Sequence, residues 1–276
     1  MLRIVHFGRF IFGIAILILG LLHFIWARFG EAIVPVIPWV PGRPWLAYVF
    51  GVGLLGAGIC IVSNRKAWQA AVLLGVIFLV FLLVRDVAAM VRAPMDLRIR
   101  TRGFEILAIC SGAFMLAGTL PSPPLQRNRV FDLLIRYSRF LFAASAVIFG
   151  IDHFYVIPLI ASLVPAWMPA HLFLAYFTGF AFIAAGVSIA SGVIGRWGAF
   201  SLGTMFLLWF LLLHGPRVLS AAHAHDPNEW SSAFIALGMC GVSWICATAL
   251  STEQSPVAAV KRRYAASTSP GEISSA

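Results

Sequence analysis

His23 and His153 are each followed by phenylalanine near the end of a long apolar run. An imidazole changes charge near neutral pH, so it can hydrogen-bond a carbonyl or pass a proton. Asp152 precedes His153 and replaces Leu22 of the earlier run. Two further apolar runs end in ionisable residues, one in Arg85 and Asp86, the other in His214 and Arg217. Asp86 and His214 correspond at an offset of 128. Taking Arg9 and Arg139 as markers of one membrane surface, each histidine lies fourteen residues on. At 1.5 Å per residue that is about 21 Å across the bilayer, in its outer third. Charges in hydrocarbon are costly, so they turn into a helix bundle and pair. His23, Arg85, Asp86, Asp152, His153, His214 and Arg217 are therefore either a candidate ligand- or proton-handling set, or structural ion pairs at an interfacial rim. Phe154, Tyr155, Trp167 and Tyr176 are the candidate pocket-lining aromatics.

Two other motifs carry less chemistry. "HAHDPNEW" offers His223, His225 and Asp226, a spacing that can hold a metal but lacks fixed helical geometry. Asp226 or Asn228 equally suits a helix cap there. "GVGLLGAG" at 51–58 matches a dinucleotide fingerprint, which needs a preceding strand and a phosphate-facing loop. Neither belongs inside an apolar span, so the glycines read as close helix packing.

The elements that must position these residues follow from composition. The chain has 276 residues, 61% hydrophobic and 11% charged. A soluble domain has roughly 25% charged residues, and apolar runs of about 20 residues match a bilayer core. The expectation is an all-α polytopic membrane protein with spans at 4–26, 45–63, 67–90, 103–120, 137–158, 171–190, 196–219 and 230–250. The charge of +10 lies between the spans and in the tail, where it sets topology rather than binding nucleic acid. Cys60, Cys110, Cys240 and Cys246 fall inside spans without a CxxC, as small packing residues.

A fixed shift relates the two halves. At offset 130, Arg9, Phe10, Phe12, Ile18, Gly20, His23 and Phe24 meet identical residues from Arg139 to Phe154. At offset 128, Trp39, Pro41, Ala47, Tyr48, Gly51, Gly58 and Gly75 recur as Trp167, Pro169, Ala175, Tyr176, Gly179, Gly186 and Gly203. The offset returns to 130 at Phe104/Phe234 and Cys110/Cys240. Gly53 and Gly56 become Ala181 and Ala184, so smallness is kept rather than glycine. Eight spans thus divide into two four-helix repeats. Four is even, so the repeats run parallel, unlike the inverted repeats of many transporters. The repeats are 1–120 and 137–250, joined by a linker at 121–136 with an amphipathic surface stretch. A Ser/Ala/Thr-rich tail at 251–276 is expected to be disordered.

Prolines 35, 38, 41 and 44 with Trp39, and prolines 158, 165 and 169 with Trp167, read as interfacial elbows or lids. Of the 20 Lys and Arg residues, 12 lie on the side of both termini and 8 opposite, which makes the termini cytoplasmic. The segment "DLRIRTRG" runs against that count, and the sequence does not explain it.

The unit "RFLFAASAVIFGIDHF…VPAWMP…YFTGFAFIAAG…LLLHGPRVL…DPNEW" resembles the DoxX-like family of bacterial membrane proteins. His153-Phe154, Trp167-x-Pro169 and His214-x-Pro216-Arg217 carry most of the likeness. The first copy departs, with Arg85-Asp86 in place of Leu213-His214 and no "DPNEW". The resemblance implies a four-helix unit, here doubled, in the cell membrane. Some relatives are subunits of quinone-linked redox assemblies, but no catalytic motif defines the family, so whether the chain is an enzyme stays open. The leading expectation is an outer-side pocket for quinone or another lipophilic ligand, serving a redox partner subunit. His153, His214 and Arg217 would hold the ligand's polar head, and Asp152 would orient His153. A small-solute permease and a non-catalytic scaffold are the alternatives.

Overall fold

The structure, a computed structural model, describes residues 2–26, 44–121, 129–220 and 224–253. Among these residues every regular element is helical: α1 (Leu2–Trp26), α2 (Pro44–Ser63), α3 (Ala67–Phe81), α4 (Val87–Arg92), α5 (Leu97–Thr119), α6 (Arg129–Tyr155), α7 (Ile157–Leu163), α8 (His171–Ser191), α9 (Gly195–Trp209), α10 (Gly215–Leu219) and α11 (Pro227–Glu253). The first proline-rich elbow, the middle of the linker, His223 and the tail from 254 lie outside the described residues. The second half of the expected linker is no separate surface helix, because α6 runs unbroken from Arg129.

Among the described residues, seven helical stretches are long and apolar enough to cross a bilayer. Apolar side chains such as Leu83, Phe173, Phe180 and Leu211 point outward from them, as a lipid-facing surface requires. This is the architecture of a multi-pass membrane protein. The expected span 103–120 is helical but is not among the seven. It belongs to α5, whose first turns carry Arg98, Arg100, Arg102 and Glu105. Asp96 caps that helix by accepting from the amides of Arg98 and Ile99 at 2.9 and 3.3 Å, which is why it starts before the expected boundary.

α5 and α11 pack against each other at the centre, and almost all of α11 is buried. α1 packs on α2 and on α11, while α6 packs on α8 and on α5. α3 leans on α5, and α9 on α11. The first helix of each half therefore rests on the last helix of the other. Phe12 and Phe142, counterparts when the two halves are aligned, are both buried in the core.

Two local devices set the site. The first is a close crossing of helices. A Cβ on Gly20 would stand 2.9 Å from the Gly51 carbonyl oxygen, and one on Gly150 2.7 Å from that of Gly179. Only glycine permits this approach, and it presses His23 and His153 onto α2 and α8. Gly58 likewise abuts Leu17, whereas Gly53 and Gly56 meet nothing within 4 Å. The dinucleotide-like string is thus half contact surface and half open face. The second device is a π-helical segment at Leu82–Asp86, between α3 and α4, and another at Phe210–His214, between α9 and α10. A π turn shifts the register of the side chains that follow. Pro216 accounts for the second, since its ring clashes with the carbonyl of a regular preceding turn. The first contains no proline, so proline is not their common cause.

Candidate functional site

The sequence-predicted residues fall into two groups, one in each half. In the second half, the Nδ1 of His153 donates to the Phe149 carbonyl at 2.8 Å. The ring stacks on Trp209 with centroids 5.7 Å apart, and tilts against Phe182 at 5.2 Å. The other nitrogen, Nε2, is buried and has no hydrogen-bond partner among the described residues. Asp152, 5% exposed, accepts from the Arg100 guanidinium at one oxygen, while its Oδ2 has no partner. The orientation expected of Asp152 on His153 is therefore supplied by the helix backbone instead. His214 closes the π segment, and its Nδ1 is buried without a partner.

A cavity of about 260 Å³ opens beside these groups. Asp152, His153 and His214 line it with Thr101, Glu105 and Ser232, and Phe149, Phe182, Phe206 and Trp209 form its apolar wall. A second cavity, of about 280 Å³, lies under α7 and is almost wholly apolar, with Leu163, Phe177, Thr178, Met205 and Leu212 in its lining. The two share His153, Ile160, Trp209 and His214. A polar chamber thus adjoins an apolar one across a wall of two histidines and a tryptophan. Each approaches the usual size of small-molecule pockets, roughly 300 Å³ and upward.

In the first half, His23 repeats the backbone bond, to the Leu19 carbonyl at 2.7 Å, and its Nε2 is also buried without a partner. Its ring lies against Phe50, 5.7 Å between centroids. Asp86 is fully buried and accepts from the Arg102 Nε at 3.2 Å, with Arg85 at 3.8 Å. None of His23, Arg85 and Asp86 lines either cavity.

Other expected residues sit elsewhere. Arg217 does not line the cavities. Both its Nε, at 3.1 Å, and its Nη2 donate to Glu229, a bidentate pair that ties α10 to α11. Phe154 packs on Tyr176 at 6.1 Å, and Tyr155 and Trp167 are 69% and 67% exposed. All four are outside the linings. His225 is exposed, and Asp226 caps α11 by accepting from the Asn228 amide at 2.9 Å. Among the described residues no three His, Cys, Asp or Glu side chains are placed to hold a metal. None of the four cysteines forms a disulfide among the described residues.

Several site residues escape a span-by-span reading. Glu105 belongs to the first half of the sequence yet lines the cavity of the second. Its signal was a carboxylate inside an apolar run. Arg100 and Arg102, in the unexplained basic segment, turn inward to Asp152 and Asp86. Arg100 and Asp152 form a hydrogen-bonded ion pair between α5 and α6. Trp209, Phe182 and Thr178 gave no local signal beyond apolar composition. No family model, curated protein or solved structure matches the chain.

Proposed function

We propose that the second half binds a lipid-soluble small molecule, of quinone type, with its ring in the polar chamber and its apolar tail in the chamber beneath α7. The observation that carries this reading is the shared wall of His153, Trp209 and His214 between a polar and an apolar cavity. The polar side offers hydrogen-bonding groups, and the apolar side offers a lining that suits a lipid tail. In this reading the chain is a DoxX-like membrane subunit that exchanges ligand with a redox partner rather than carrying its own redox group. Arg217 and Asp86 are structural, since their pairing with Glu229 and Arg102 ties helices together.

The same proposal takes the fold as two parallel four-helix repeats, with α5 as the eighth span. Three pairings support it. The π segments coincide when the halves are aligned, Leu82 with Phe210 and Asp86 with His214. So do Lys66 and Ile194, the left-handed residues that open α3 and α9. The glycine crossings of α1 with α2 and α6 with α8 match in the same way. Both termini are cytoplasmic. Of the eight cations on the opposite side, Arg85, Arg100, Arg102 and Arg217 share three carboxylates, Asp86, Asp152 and Glu229, which leaves a net five against 12.

The test is to purify the full chain in mild detergent and extract it with organic solvent for prenyl quinones. A quinone should co-purify, and Thr178→Trp, which fills the apolar chamber, should strip it. An extract without quinone, together with no binding of added decylbenzoquinone or its hydroquinone, overturns the proposal.

A further inference from the structure

We infer that the polar chamber is a hydrogen-bond-accepting site, so it takes its ligand in the reduced, hydroxyl-bearing state in preference to the carbonyl state. This rests on the pocket reading above and goes beyond it, because a pocket for a quinone-type ring says nothing of which redox form is held.

Two acceptors in the lining have their states fixed by neighbours. The His153 Nδ1 proton is committed to the Phe149 carbonyl at 2.8 Å. In the neutral ring that leaves Nε2 as a lone pair, and Nε2 is buried without a partner. Protonating it would place a second buried donor there with no acceptor bonded to it among the described residues, at the usual cost of an unmet hydrogen bond. Asp152 accepts from the Arg100 guanidinium at Oδ1, and its Oδ2 is a second buried carboxylate oxygen with no partner among the described residues. A carboxylate oxygen in that state cannot donate. The remaining polar lining is not fixed in this way: the hydroxyls of Thr101 and Ser232 rotate to donate or accept, and Glu105 and His214 accept or, where they carry a proton, donate. A hydroquinone or phenol presents O–H groups and satisfies both fixed acceptors. A quinone presents carbonyl oxygens, which would face a lone pair and a carboxylate.

The discrimination expected follows from general hydrogen-bond energetics. A site built to pair a polar group rejects an analogue that leaves that group unpaired, and one ordinary hydrogen bond supplies about a tenfold difference in affinity. The experiment is equilibrium binding to the full chain in lipid nanodiscs, with three probes: decylhydroquinone, the matching decylbenzoquinone, and the dimethyl ether of the hydroquinone. The hydroquinone should bind about tenfold or more tightly than the quinone, and the ether, which has no O–H, no better than the quinone. His153→Phe keeps a ring between Trp209 and Phe182 but removes the acceptor. It should bring hydroquinone affinity down towards that of the quinone, so that the ratio between the two collapses. Equal affinity for hydroquinone and quinone, or a preference that survives His153→Phe, overturns the inference while leaving the pocket reading intact. Binding of none of the three overturns both.

Discussion

Phe50 and Thr178 are counterparts at the same turn of α2 and α8, each just before a glycine that crosses the neighbouring helix. Phe50 is wedged among His23, Phe78 and Phe81, with centroids 5.7, 6.4 and 5.3 Å away. Thr178 turns its hydroxyl back to the Leu174 and Ala175 carbonyls, both at 3.0 Å, and a cavity opens beside it. The second contrast lies one layer away. Asp86 and Arg102 close on each other at 3.2 Å, where the corresponding His214 and Ser232 face the polar chamber. The first half fills with an aromatic ring and an ion pair the positions that the second half leaves beside open space. The lesson is that matched positions in two helix pairs can differ in capacity through three side chains. A small residue or an uncharged one is enough to change packing into a chamber.

The comparison can be broken most severely at the ion pair. Arg102→Ala leaves Asp86 buried with only Arg85 nearby, and should lower stability by about 3 kcal/mol or more, because the surviving charge has lost its hydrogen-bonded partner. Denaturant unfolding in mixed micelles reads this. The double change Asp86→His with Arg102→Ser, which copies the second half, should recover much of the loss. A double variant no more stable than the single one would show that the pair does more than occupy space. Next is Phe50→Thr, which removes the wedge. Its cost should be about 2–3 kcal/mol, below that of a fully enclosed phenylalanine because the ring is only half-buried.

The reverse exchange, Thr178→Phe, copies the plug into the second half. Space is already present, so the unfolding midpoint should hold while hydroquinone affinity falls at least tenfold, about 1.4 kcal/mol. Unchanged affinity would separate the apolar chamber from ligand binding. The smallest effect belongs to the glycines. Gly53→Ala and Gly56→Ala copy Ala181 and Ala184 on a face with nothing within 4 Å. Each should be neutral or gain roughly 0.5–1 kcal/mol from helix propensity. Gly58→Ala puts a Cβ 2.7 Å from the Leu17 amide nitrogen and should destabilise in the same assay.

Features within one helix were legible from the sequence. A histidine four residues after a carbonyl in an apolar helix has one obvious intrahelical acceptor, and His23 and His153 both use it. Several helix ends followed from proline, glycine and the limits of the apolar runs, but the polar first turns of α5 and α6 did not. What escaped was pairing between helices. The partner of Asp152 lies 52 residues away in the other half, and no spacing rule reaches that far. The basic segment looked like loop charge because periodicity records that a residue is cationic, not that it faces a buried acid. Arg217 was assigned to a ligand for the same reason: its partner Glu229 sits across a turn on the next helix. The aromatic lining was misplaced because Phe154 and Tyr176 flank the crossing on its outer side, while Phe182 and Trp209 close it from within.

The bond from Arg100 to Asp152 ties the two halves together in a way that a linker does not. Cleave the chain within 122–128 and the carboxylate of one fragment still depends on the guanidinium of the other. The fragment beginning at Arg129 would carry its chamber without Thr101 or Glu105, and with a bare acid at its rim. Such a fragment should be degraded when produced alone and rescued when its complement is supplied in the same membrane. The gene could thus be split without loss, but neither product could evolve alone into a smaller protein.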